Sequence, residues 1–197
     1  MSDNVFAEFP EIETERLLLR EILPEDVDAI FRIFSSEDVT RYCDLVTYTD
    51  PAQAAELIDF FDECFELERA IRWGIERKED GALIGTCGFV WLRTYRGEIG
   101  YDLHPDYWGQ GYMREALDAI LDFGFSELGL NRIEALVMVE NERSARLLRA
   151  LGFQEEGVLR QHDFFKGQFH DMRLFAILAD DYYSEDNAED DAESPAG

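Results

Sequence analysis

Apolar residues recur along this chain at two spacings, and the switches between them outline its elements. Thr14 to Ile22 (TERLLLREI) has the apolar content of a strand. From Pro24 the spacing lengthens. Val27, Ile30, Phe31 and Phe34 fall on one side of a helix opened by Pro24-Glu25-Asp26. Asp50-Pro51 has the form of a second helix start, with Asp as cap and Pro in the first turn. The pattern carries that helix to about Ala70, with Leu57, Phe60, Phe61, Cys64 and Leu67 inward. Three strands are predicted next, over 71–77, 82–91 and 98–103, with Glu79-Asp80-Gly81 as the turn of a hairpin. A helix over 112–128 follows the glycines at 109 and 111. Residues 131–139 (NRIEALVMV) form a strongly apolar strand, expected to be central. Asn141 caps a short helix to Leu151, closed by Gly152 just past its end. Two strands over 154–163 and 168–178, joined through Lys166-Gly167, complete the order βααβββαβαββ, a mixed α/β class.

A length of 197 residues, 46% of them hydrophobic, suits one globular domain with a sizeable core. The division expected is a flexible lead-in over 1–11, one domain over 12–183, and an acidic disordered tail over 184–197 (SEDNAEDDAESPAG). No apolar run reaches membrane-spanning length, and the first ten residues lack the basic start and apolar run of a signal peptide. A cytoplasmic protein away from the membrane is expected. Cys43, Cys64 and Cys87 form no Cys-x-x-Cys pair, and His104, His162 and His170 have no metal-ligand spacing. No metal is therefore expected.

The net charge of −26 speaks against a non-specific nucleic-acid binder, which presents a basic face. The same charge suits cationic acceptors such as amines or basic protein tails. A heavily solvated surface and an adaptation to high salt, with Lys78 and Lys166 the only lysines, are open alternatives.

Candidate chemistry concentrates between Glu98 and Met113 (EIGYDLHPDYWGQGYM), which reads as strand, proline stop, glycine turn and helix start. Glycines at 109 and 111 let backbone approach a ligand, and the unpaired N–H groups opening the next helix suit a pyrophosphate. Neither the Gly-x-Gly-x-x-Gly fingerprint nor the Gly-x-x-x-x-Gly-Lys-Ser/Thr loop is present, so the phosphate belongs to another kind of ligand.

Pro105-x-Tyr107-Trp108-Gly109-Gln110-Gly111-Tyr112 resembles the acetyl-CoA pyrophosphate loop of the GNAT superfamily of N-acetyltransferases. Its Tyr-Trp-Gly-x-Gly-Tyr form is similar to the branch that acetylates ribosomal-protein N-termini. Trp108 and Met113 stand at the loop ends, where the superfamily usually has Arg or Gln and Gly or Ala. A second block, Val139-Glu140-Asn141-Glu142-Arg143-Ser144 with Leu151-Gly152-Phe153, resembles the family's strand, Asn-x-x-Ser helix and Gly-Phe turn. The opening Thr14 to Arg20 and the ending Gly167 to Met172 are similar to the same branch.

The resemblance implies a GNAT fold: a mixed central sheet of about six to seven strands flanked by about four helices. It implies direct acetyl transfer from acetyl-CoA to a primary amine, in this branch a protein N-terminal α-amine, in a ternary complex, by a monomer or homodimer. Trp108, Gly109, Gln110, Gly111, Tyr112 and Met113 would form the cofactor loop, and Asn141 would hold the pantetheine arm. Glu98 would be the base, the Leu103 N–H would meet both cofactor and oxyanion, and Ser144 would serve the departing thiolate. A small-amine acceptor (polyamine, amino acid or amino sugar) and a non-catalytic acetyl-CoA-binding module are the alternatives.

Overall fold

The computed structural model describes residues 4–184. The expected acidic tail lies outside them except for Ser184, as do the first three residues of the expected lead-in. Eight strands form one sheet: β1 (Ile12–Glu13), β2 (Leu17–Arg20), β3 (Ile71–Arg77), β4 (Ala82–Arg93), β5 (Arg96–Leu103), β6 (Arg132–Met138), β7 (Gln154–Phe165) and β8 (Gln168–Leu178). Their order across the sheet is β1-β2-β3-β4-β5-β6-β8-β7. Neighbours run antiparallel except β5 and β6, which run parallel. The chain crosses between those two through α4 (Tyr112–Ser126), since parallel neighbours need a long connection. The other helices are α1 (Val27–Phe34), α2 (Glu37–Thr40), α3 (Pro51–Glu66) and α5 (Glu142–Ala150), and 3-10 turns cover Pro24–Asp26 and Pro105–Tyr107.

Among the described residues there are thus eight strands and six α-helical segments, the sixth beginning at residue 179, against six to seven and about four expected. The extra strand, β1, is two residues long and exists through its pairing with β2. A two-residue strand has no periodicity to read. The 131–139 strand is interior as expected, with β5 on one side and β8 on the other.

Helix α3 departs from expectation in two ways. It stops at Glu66, because Glu68 adopts a left-handed backbone (φ 55°) that ends the helix before Ala70. Its buried stripe runs through Ala54, Leu57 and Ile58, while Phe60 and Leu67 are 56% and 48% exposed. The start is as read. Asp50 accepts a hydrogen bond from the Ala52 N–H at 2.9 Å, and Gln53 closes a capping box by accepting from the Asp50 N–H at 3.1 Å. Asp50→Ala is expected to destabilise the domain by about 1 kcal/mol, seen as a lower denaturant midpoint at unchanged slope.

The core has two layers. On one face of the sheet, α4 and α5 cover Trp73, Cys87, Phe89, Ile99, Ile133, Val137 and Phe175. On the other face, α1 and α3 bury Ile22 and Leu83. Trp73 is fully buried, and its Nε1 donates to the Pro10 carbonyl at 2.6 Å. Phe9 packs against both Trp73 and Phe65, so residues just before β1 lie against the domain. Among the described residues no helix is long and apolar enough to cross a membrane.

Candidate active site

The sheet has a seam. β5 and β6 pair at only three positions, Arg96 with Arg132, Gly97 with Ile133 and Glu98 with Glu134. Past Glu98 the strands part. β5 continues alongside β4 as far as Leu103 opposite Gly85, and β6 continues alongside β8 as far as Met138 opposite Met172. Backbone groups on the facing edges therefore lose their sheet partners. The His104 N–H donates to the Ile84 carbonyl at 2.9 Å. By antiparallel alternation, the polar backbone groups of Leu103, Tyr101 and Ile99 then point away from β4, into the gap. One is used within the chain: Trp108 Nε1 donates to the Leu103 carbonyl at 2.8 Å. The Leu103 N–H is left facing the gap.

Side chains alternate along β5, so Glu98 and Tyr101 lie on opposite faces of the sheet. Tyr101 is on the α4–α5 side, where its hydroxyl meets the Ser144 hydroxyl of α5 at 2.6 Å. Glu98 opens on the other side, and Trp91 Nε1 donates to its Oε2 at 2.9 Å. Burial raises the Glu98 pKa, nearby Glu134 and Asp163 push the same way, and the Trp91 bond pulls against them. A carboxylate whose proton affinity is raised in this way is a stronger base than an exposed one.

The glycine turn sits at the end of β5. Gly109 (φ 73°) and Gly111 (φ 84°) both take left-handed backbone, which glycine adopts without the strain other residues meet. Gly111 is the N-cap of α4 and provides no side-chain cap. The first intrahelical bond runs from the Glu115 N–H to the Gly111 carbonyl. The preceding N–H groups of the first turn have no helical partner and point outward at the positive end of the helix. The side chains of Tyr112 and Met113 are turned into the core, so these residues offer backbone only.

Three contacts brace this turn. Arg16 donates from Nη1 to the Gln110 carbonyl at 2.9 Å and from Nε to Glu115 at 2.6 Å, with its guanidinium 4.5 Å from the Tyr112 ring centre. Glu115 also accepts from the Thr14 hydroxyl and the Arg16 N–H. Burial opposes its ionisation, but these bonds prevail and hold its carboxyl below the ordinary range. Across the gap, the Arg143 guanidinium of α5 stacks 3.6 Å from the Trp108 ring centre. Asn141 Oδ1 accepts from the Ser144 N–H at 3.2 Å, which makes it the expected cap of α5.

The face bearing Glu98 is walled by the segment after α2 and by the β7–β8 hairpin. Lys166, on the hairpin turn, donates from Nζ to the Thr40 carbonyl at the end of α2 and ties the two walls together. On this face of the hairpin Phe165 stacks on His170, while Phe164 and Phe169, each 62% exposed, lie on the opposite face. The floor holds Asp102, which accepts from Arg72 at 2.5 Å, while Arg72 also donates to the Thr86 hydroxyl at 2.8 Å. Burial raises the Asp102 pKa and Arg72 counters it.

Of the residues singled out in the sequence, Glu98, Leu103 and Ser144 lie around one gap, from both faces. Trp108, Gly109, Gln110, Gly111 and the start of α4 lie at its end. Tyr101, Trp91 and Arg143 escape a reading of the sequence. Alternation puts Tyr101 on the helix side, but its partner is 43 positions away. The Trp91–Glu98 contact crosses a bulge in the β4–β5 pairing that periodicity does not reveal.

The chain matches the family model described as "Acetyltransferase (GNAT) domain" over residues 16–154. It is 44% identical over 172 residues to YoaA of Bacillus subtilis (strain 168), described as an uncharacterized N-acetyltransferase, covering 86% of this chain and 97% of that protein. It is 28% identical over 170 residues to the spermidine N(1)-acetyltransferase of Escherichia coli (strain K12), covering 85% and 88%. Among solved structures, the ribosomal-protein-S5-alanine acetyltransferase from Vibrio fischeri is similar at a TM-score of 0.74 and 26% identity, covering 88% of this chain and 98% of that one.

Proposed function

The chain belongs to the GNAT acetyltransferase family, and on that premise we propose that it transfers the acetyl group of acetyl-CoA to a protein N-terminal α-amine, by direct attack in a ternary complex. The observation that carries this reading is the seam: β5 and β6 part immediately past a half-buried Glu98 whose pKa is raised. The uncapped N–H groups of α4, with the left-handed turn before them, suit the diphosphate of the co-substrate. The bare β5 edge from Ile99 to Leu103 suits its amide-bearing arm. Asn141 keeps its Nδ2 free of any partner among the described residues, available for that arm.

Each proton has a place. The acceptor loses its ammonium proton to solvent by way of Glu98, and its lone pair then attacks the thioester carbonyl carbon. The Leu103 N–H donates to the oxygen as charge gathers there. The C–N bond forms and the C–S bond breaks, with the electron pair leaving on sulfur. The proton still on the new cationic nitrogen passes to Glu98, and the Ser144 hydroxyl donates a hydrogen bond to the thiolate.

The walls of the Glu98 face support a protein acceptor, because Phe165 and His170, half-exposed and stacked with ring centres 4.0 Å apart, offer aromatic surface on the hairpin beside the approach. A second reading, a small polyamine, is favoured by the negative groups Asp163 and Glu134 acting on Glu98 and Asp44 acting on Asp102. Acetyl-CoA turnover, followed as free thiol, separates the two. With ribosomal-protein N-terminal peptides, spermidine, amino acids and amino sugars as acceptors, a peptide-dependent rate supports the first reading. A rate with spermidine and none with peptides replaces it with the second. Acetyl-CoA binding without turnover for any acceptor would make the chain a binding module, and absence of binding would remove the phosphate-turn assignment.

A further inference from the structure

Tyr101 and Ser144 approach from opposite halves of the sheet. Tyr101 belongs to β5, before the crossover, and Ser144 belongs to α5, after β6. Their hydroxyls meet at 2.6 Å across the seam, a short distance for two neutral groups. Ser144 is held on its own side by the Asn141 cap. Tyr101 packs against the α4–α5 core, and burial pushes its phenol up to about 12. The phenol therefore keeps its proton at neutral pH, and as the more acidic of the two hydroxyls it is the better donor. A buried phenol seeks a partner, and Ser144 Oγ is the one it has. Once Ser144 Oγ accepts from Tyr101, the serine proton must point elsewhere.

We propose that Tyr101 is a positioning residue for acetyl transfer: its phenol donates to Ser144 Oγ across the seam and directs the serine proton at the departing sulfur. The inference rests on the reading of Ser144 as the group that meets the thiolate. No proton leaves either hydroxyl. The amine proton goes to Glu98, the electron pair of the broken C–S bond stays on sulfur, and the serine O–H stabilises it. The phenol strengthens that donation, because a hydroxyl that accepts a hydrogen bond is polarised toward giving one.

The test compares Tyr101→Phe, Ser144→Ala and the double variant by free-thiol release from acetyl-CoA. Spermidine and an N-terminal-alanine peptide serve as acceptors, with water alone as the basal acceptor. Tyr101→Phe is expected to lower kcat about fivefold to tenfold, the scale of one lost hydrogen bond, with the KM for acetyl-CoA within about twofold. Ser144→Ala should lower kcat at least as much, and adding Tyr101→Phe to it should change nothing further. A wild-type kcat for Tyr101→Phe beside a slow Ser144→Ala overturns the proposal and leaves the serine reading standing. Effects that multiply in the double variant also overturn it, since Tyr101 would then act by a route other than Ser144, general packing included. A wild-type kcat for Ser144→Ala removes the serine reading itself, and the proposal with it.

Discussion

Glu98→Gln is expected to lower kcat about a hundredfold to a thousandfold at neutral pH while leaving the KM for acetyl-CoA within about twofold. The substitution keeps shape and polarity, and an amide oxygen can still accept from Trp91 Nε1, so β4 and β5 should stay in register. What disappears is a site able to receive a proton. The pH profile gives the stricter test. Burial raises the Glu98 pKa above the ordinary glutamate range, so the base form exists above that raised value and is lost as pH falls through it. The kcat/KM of the wild-type protein should fall on the acid side along a limb displaced upward from a free glutamate. In Glu98→Gln that limb should vanish, leaving a low rate without it. Retention of the limb would move the base to another residue.

Gly111→Val should produce the complementary pattern: a KM for acetyl-CoA raised about tenfold or more, with kcat changed far less. Gly111 sits at φ 84°, where an L-residue is strained by about 1–2 kcal/mol and a β-branched one is more restricted still. A Cβ there would lie 3.2 Å from Arg16 Nη2. That guanidinium cannot swing aside cheaply, because Glu115, the Gln110 carbonyl and the Tyr112 ring all hold it. Either the turn reshapes or Arg16 lets go, and in both cases the N–H groups opening α4 are re-aimed. Isothermal titration with acetyl-CoA measures the loss directly. Unchanged affinity would place the diphosphate elsewhere.

How far the sequence could be read depended on whether a feature is local. Strand β3 matches its expected bounds, because it is set off by the end of α3 on one side and a glycine turn on the other. The caps of α3 and α5 were legible for the same reason: Asp50 and Asn141 act on N–H groups two and three residues away. The inward face of α3 was not. Its apolar residues satisfy helical spacing along more than one stripe, and only docking against α1 decides that Leu57 and Ile58 are covered while Phe60 is not. The site divides the same way. The glycine turn is a run of neighbours in sequence. The seam lies between two strands that each keep an outer partner, β4 or β8, while parting from one another past Glu98 and Glu134, and the Tyr101–Ser144 contact depends on the whole crossover.

The order of the strands also bears on how the chain acquires its shape as it is made. β1 to β5 each pair with the strand before or after them in sequence, so that half of the sheet can close as it emerges from the ribosome. β6 cannot be completed in the same way. Its long antiparallel partner is β8, the last strand to be translated, which must slot between β6 and the already synthesised β7. Until residue 178 is out, β6 has a bare edge, the kind of surface that invites pairing with other chains. Termination upstream of β8 would therefore cost more than a terminal strand. It would leave β6, one lip of the seam, without its outer partner, in a chain that already carries every residue placed in the acetyl-transfer site.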